Sequence, residues 1–135
     1  MSDCIFCEII KGNAQATIVA DYGTSLVIVP LDPVVEGHLL VISKEHVEDF
    51  AEDWEISGQT MGDAALHIQL TNPEKDYNII TSKGKAATQS VFHLHLHIVP
   101  REENDGLALP WYSGKKRKVP IQGSGYTSAQ LLGGH

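Results

Sequence analysis

Val91-Phe92-His93-Leu94-His95-Leu96-His97-Ile98-Val99 alternates apolar residues and histidine. Side chains on a β-strand point to opposite faces with period two. This register places His93, His95 and His97 on one face and Phe92, Leu94, Leu96 and Ile98 on the other. The aliphatic face predicts packing on a core. The histidine face carries imidazoles about 6.6–7 Å apart along the strand. Histidine is a weak strand former, and charged neighbouring rings repel, so structure alone is a poor reason for the pattern. Three readings stand: a solvated outer face that happens to use histidine, a metal site, or attack on a phosphate by a neutral imidazole whose far nitrogen is held by a carbonyl. The spacing alone does not choose among them.

Outward from this segment, Gln89–Val99 reads as the clearest strand, closed by Pro100. Tyr77–Thr81 is a second strand, and Ser82–Thr88, with Gly84 inside it, a loop. From Ile56 to Leu70 the apolar residues at 61, 64, 65 and 68 make the stripe of an amphipathic helix, stopped by Asn72-Pro73. Gly37–Ile42 reads as a buried strand, and the hydroxyl of Ser43 can cap the segment after it by accepting from the amide of His46. Thr17–Ala20 and Leu26–Val29 are β-rich runs around a hairpin loop at Asp21–Ser25. Residues 4–10 form a short helical turn. Strands outnumber helices, which predicts an α+β fold with helices on one face of an antiparallel sheet.

Length and charge set the outer limits. The chain has 135 residues, which suits one domain, and a formal charge of −7, which argues against a general nucleic-acid or anionic-membrane binder. No run reaches the eighteen or so apolar residues of a membrane span. The start, Met1-Ser2-Asp3-Cys4, lacks the basic and apolar stretches of a signal peptide, so a cytoplasmic location is expected. The two cysteines, Cys4 and Cys7, are no disulfide framework. Beyond about Gly106 the pattern weakens. A domain at 1–105 and a partly flexible carboxy-terminal extension at 106–135 are expected.

Three stretches together resemble the histidine triad (HIT) family of nucleotide hydrolases and transferases. They are Cys4-Ile-Phe-Cys7-Glu-Ile-Ile, Glu36-Gly37-His38-Leu39-Leu40-Val41-Ile42-Ser43-Lys44-Glu45-His46-Val47 and Gln89–Arg101, in the family's order and close to its spacing. The resemblance implies a five-stranded antiparallel sheet with two main helices, usually a homodimer, that binds a purine nucleotide or nucleotide conjugate. It implies attack on the α-phosphorus of a nucleoside phosphoramidate or (di)nucleoside polyphosphate through a nucleotidyl-histidine. His95 falls on the nucleophile, His97 on the histidine that contacts phosphate, Ser90 on a hydroxyl at the phosphate or leaving group, and His38 on a supporting histidine. Ser82, Gln89 and Asp32 are the expected substrate contacts.

In zinc-containing members of the family the ligands fall on Cys4, Cys7, His46 and His93. Two thiols and two imidazoles suit a structural, tetrahedral zinc, and a Cys-x-x-Cys turn brings both sulfurs to one metal. A redox pair and two inert buried thiols are the other readings of the cysteines. The family's acid eight residues before its Gly-His histidine, a ribose contact, is Pro30 here, with Asp32 nearby. Its Asn or Gln eleven residues before the triad is Ser82, and its Gly before Gln-Ser is Thr88. These departures motivate a rival reading, a non-catalytic zinc-stabilised nucleotide-binding scaffold dimer. A further rival is a metalloenzyme that uses zinc directly. Arg101, the pair Trp111-Tyr112, the run Lys115–Lys118 and His67 read as surface or packing residues, and His135 carries no inference.

Overall fold

Leu26–Val29 and Leu39–Ile42 are unbroken apolar runs, the pattern of strands covered on both faces. In the computed structural model, which describes residues 3–109, they lie inside the sheet. Strands β1 (Thr17–Asp21) and β2 (Ser25–Val29) form a hairpin. β3 (Leu39–Ser43), β4 (Asp76–Ile80) and β5 (His95–Arg101) complete a five-stranded sheet in the order β1-β2-β3-β5-β4. Every pair is antiparallel. β5 continues through Pro100, which lies beyond its last β3 partner and pairs only with Tyr77 of β4, so a residue without an N–H is tolerated there.

The helices do not share one face of the sheet. α1 (Ile5–Lys11) packs Phe6 and Ile9 on Leu26, Ile28, Leu40 and Ile42. α2 (Trp54–Thr71) packs Ala64, with Ile56 and Ile68, on the opposite side chains, among them Val27, Val41, Leu96 and Ile98. The continuous apolar runs require this, because each strand has two faces to bury. The split also decides what covers the histidines: Leu96 and Ile98 face α2, while His95 and His97 face the side that α1 covers.

α2 itself corrects two expectations. Its buried residues are Thr60, Ala64 and His67, while Met61 and Ala65 point outward. Polar side chains hold the inner face because their groups are satisfied. Thr60 donates its hydroxyl to Ile56 O at 2.8 Å, and His67 Nδ1 meets the Tyr22 hydroxyl at 2.7 Å, so His67 is buried and not a surface residue. Ser43 caps no helix. It is fully buried and donates to Glu45 O at 2.9 Å. The cap of α2 is Asp53, whose carboxylate accepts from the amides of Glu55 and Ile56 at 2.9 and 3.1 Å.

α1 stops at Gly12, whose φ of +82° lets its N–H turn back to the last carbonyls of the helix. One compact unit runs to Glu103. In the segment from Asn104, Asp105 accepts from the amide of Leu107 at 3.0 Å. Trp111-Tyr112, Lys115–Lys118 and His135 lie outside the described residues. Among the described residues no helix is long and apolar enough to cross a membrane.

Candidate active site and metal centre

The triad does not lie on one straight strand. β5 starts at His95, so His93 sits in the bend that leads into it and Phe92 is exposed rather than in the core. The bend is marked at Leu94, whose N–H donates to Val47 O at 2.8 Å while its carbonyl still accepts from the Ser43 N–H of β3 at 3.3 Å. It buries the His93 ring completely. Nε2 of His93 lies 2.6 Å from Ser43 O, and a carbonyl can only accept, so the proton is on Nε2. Nδ1 then carries the lone pair, and it points at the cysteines.

His93 Nδ1 is 3.3 Å from Cys4 Sγ, 3.6 Å from Cys7 Sγ and 3.1 Å from His46 Nδ1, while Cys7 Sγ is 3.2 Å from His46 Nδ1. All four donor atoms lie within 4.8 Å of one another. Usual zinc bond lengths in a tetrahedron give sulfur–nitrogen edges of about 3.6 Å and nitrogen–nitrogen edges of about 3.3 Å. The quartet therefore fits a structural zinc in donor type, number and spacing. The carbonyl at Nε2 of His93 is the outer partner that a ligating imidazole needs. Cys4 also caps α1, its sulfur accepting the Cys7 N–H at 3.4 Å, so the helix start and the ligand turn are one feature. His46 comes from the bends between β3 and α2, not from a helix.

His95 is held differently. Its Nδ1 lies 2.7 Å from the His93 carbonyl, so it donates there and leaves the lone pair on Nε2. Thr81 donates its hydroxyl to His95 O at 2.8 Å and fixes the backbone. Beside it, Val34 N–H donates to His38 Nδ1 at 3.1 Å, which leaves the proton of a neutral His38 on Nε2. That nitrogen lies 2.9 Å from His97 Nδ1, so His97 accepts there and carries its own proton on Nε2. Burial holds His38 and His95 below the ordinary imidazole value. Burial, with the like-charge effect of His95 and His38, takes His97 down to about 4. Neutral rings suit these tautomers. The outcome is a lone pair on His95 next to an N–H on His97, with ring centroids 5.3 Å apart.

Both rings line an open cleft of about 1240 Å³. Ser82, Gln89 and Ser90 also line it. Asp32 does not: it is exposed beyond Leu31, and the cleft wall at that point is Pro30 and Leu31. Gln89 reaches the cleft, but its side chain is already used. Its Oε1 accepts from Gly84 N–H at 2.8 Å, and its Nε2 donates to Glu48 O at 2.6 Å and Val91 O at 3.1 Å. It shapes the loop. In that loop Thr88 has φ +70°, a left-handed conformation rarely adopted by a β-branched residue. Arg101 donates to Asn78 Oδ1 at 2.6 Å.

Phe6 does not stand out in the sequence. Its ring meets His95 and His93 edge-on at 5.1 and 5.7 Å and forms part of the cleft wall. The only signal was its place between the two cysteines.

A five-stranded α+β sheet that presents a histidine lone pair beside a histidine N–H, with a thiol–imidazole quartet behind them, defines a histidine-triad protein. The chain belongs to the HIT family: the HIT domain family model matches residues 11–104. It is 36% identical over 115 residues to the adenosine 5′-monophosphoramidase hnt1 of Schizosaccharomyces pombe, covering 82% of this chain and 84% of that one. A HIT family hydrolase from Clostridium thermocellum superposes with a TM-score of 0.71 at 32% identity, covering 81% of this chain and 99% of that one. A zinc-bound histidine triad family protein from Mycobacterium smegmatis superposes with a TM-score of 0.67 at 35% identity, covering 78% and 80%.

Proposed function

We infer that this protein is a hydrolase or nucleotidyl transferase that attacks the α-phosphorus of a nucleoside phosphoramidate or (di)nucleoside polyphosphate through His95. The observation that carries this reading is the His95 Nδ1 to His93 carbonyl contact at 2.7 Å, which leaves Nε2 as a nucleophile facing the cleft. Similarity to a monophosphoramidase supports the substrate class.

With adenosine 5′-phosphoramidate, the Nε2 lone pair forms an N–P bond as the P–N bond to the leaving amine breaks. The amine departs as ammonia, taking a proton relayed from solvent by the Ser90 hydroxyl. The His97 N–H donates to a phosphate oxygen as charge develops there. Ser82 contributes a further neutral hydrogen-bonding group at the same cleft. Water then attacks the adenylyl-histidine, releasing AMP and restoring the ring.

Cys4, Cys7, His46 and His93 hold zinc in this reading, and its contribution is to fold the amino-terminal turn onto the triad bend. No step passes through it. The protein acts as a homodimer: α2 exposes Trp54, Met61, Leu66 and Leu70, and β4 is an edge strand, a combination that a second copy would cover.

Hydrolysis of adenosine 5′-phosphoramidate by wild type and His95→Ala, with folding and zinc content measured on both, tests the reading. AMP release by wild type alone supports it. Nucleotide binding without turnover by wild type supports the scaffold reading instead.

A further inference from the structure

Apart from its two histidines, the cleft is lined by neutral residues, with no Asp, Glu, Lys or Arg among the described residues of its wall. One side is aliphatic, with Ile9, Ile28 and Leu40 continuing from the core into Pro30 and Leu31. Pro30 offers neither an N–H nor a polar side-chain atom. Gln89 has both ends of its amide bonded to backbone. The acid nearest to Pro30 in the chain, Asp32, stays outside the lining.

A site that recognises sugar hydroxyls leaves its own buried acceptors unpaired when an analogue lacks them, and it rejects that analogue by about 10⁴-fold or more. The wall here has no charged acceptor; its polar side chains at Gln15, Thr17, Ser82, Thr88 and Ser90 are not buried, and its one buried amide, Gln89, is already bonded, so a missing hydroxyl strands no buried group. We propose that this cleft holds a nucleotide by its base and its phosphate and accepts it whether or not the sugar carries 2′- and 3′-hydroxyls. Ribonucleotide, deoxyribonucleotide and dideoxyribonucleotide conjugates are then all substrates. This deepens the reading of the cleft as a nucleotide site and rests on it.

The test is calorimetric binding of AMP and of 2′,3′-dideoxy-AMP to the zinc-loaded full-length protein, wild type and Pro30→Asp. The two wild-type dissociation constants are expected to agree within about tenfold. Pro30→Asp, which adds a carboxylate to the wall, is expected to open a gap in favour of AMP. A wild-type preference for AMP above about tenfold overturns the proposal while leaving the nucleotide reading intact. An unchanged ratio in Pro30→Asp also overturns it, since the sugar then lies elsewhere. Binding of neither nucleotide removes both readings together.

Discussion

Nε2 of His38 lies 2.9 Å from Nδ1 of His97, and the other nitrogen of His38 accepts the Val34 N–H. A backbone amide thereby sets the tautomer of one ring, and that ring sets the tautomer of the next. The N–H that His97 turns to the cleft is thus fixed from a residue that does not itself line it.

Replacing His38 with Leu removes the donor and leaves the His97 proton free to sit on either nitrogen. Phosphoramidate turnover is expected to fall about 10²-fold, mainly in kcat, because the cost is in orientation. His38→Asn, which can still donate an N–H, should recover part of the loss. Steady-state kinetics on both variants check this. Equal losses in the two would show that volume, not donation, is what His38 supplies.

The low value of His97, about 4, makes stability depend on pH. An unfolded histidine titrates near 6.5. Between those values the unfolded chain binds more protons than the native one, so stability is complete above about pH 6.5 and declines as pH falls toward 4. With solvent screening of a partly exposed ring, the decline is about 1–2 kcal/mol from this residue. Urea midpoints at pH 7 and pH 4.5 should show it, and His97→Gln should flatten the slope.

Removing one thiol tests the metal centre. Cys4→Ser is expected to lower bound zinc and to reduce stability by about 3 kcal/mol or more, the contribution of a ligand at a hundredfold its Kd. Metal analysis with thermal unfolding of both proteins decides it. Unchanged metal content and midpoint would remove zinc from the account.

Thr88 holds a left-handed backbone conformation with a β-branched side chain. Thr88→Gly should relieve that strain and, after the entropy of glycine in the unfolded chain, raise stability by about 0.5–1 kcal/mol. Denaturant unfolding measures it. A fall in stability would show that the Thr88 hydroxyl bond to Ala87 O at 2.5 Å outweighs the strain.

Much of this architecture was legible in the sequence, for identifiable reasons. The Thr17–Val29 hairpin, the Leu39–Ile42 strand and the Tyr77 strand follow local patterns that the tertiary structure reinforces. The cysteine and histidine quartet was legible only through family resemblance, since its members stand up to 89 residues apart. The placement of α1 and α2 on opposite faces departs from the expected one-sided arrangement, and its sequence signal is that Leu26–Val29 and Leu39–Ile42 lack the alternation of a strand exposed on one side. The bend at His93 was hidden because the alternation of 91–99 continues through it, and a long-range bond from Leu94 to Val47 overrides the pattern. Gln89 and Asp32 read as substrate contacts from position alone. Both outcomes depend on tertiary contacts: the Gln89 amide is bonded to backbone at Gly84, Glu48 and Val91, and Asp32 lies outside the cleft. Asp53, by contrast, has the side chain of a helix cap and lies three residues before Ile56, so the start of α2 is legible locally.

The contact between Cys4 and His93 has a consequence for synthesis. α1 leaves the ribosome before the triad, and the bend it must clasp is made 89 residues after Cys4. At about 5–20 residues per second, that is a wait of about 4–18 s. During it β3 lacks β5 beside it, and the apolar side of α1 has only an incomplete sheet to rest on. Nascent chains stalled before His93 would therefore carry an open sheet edge and a metal quartet lacking one of its four members, making them natural clients for chaperones and proteases.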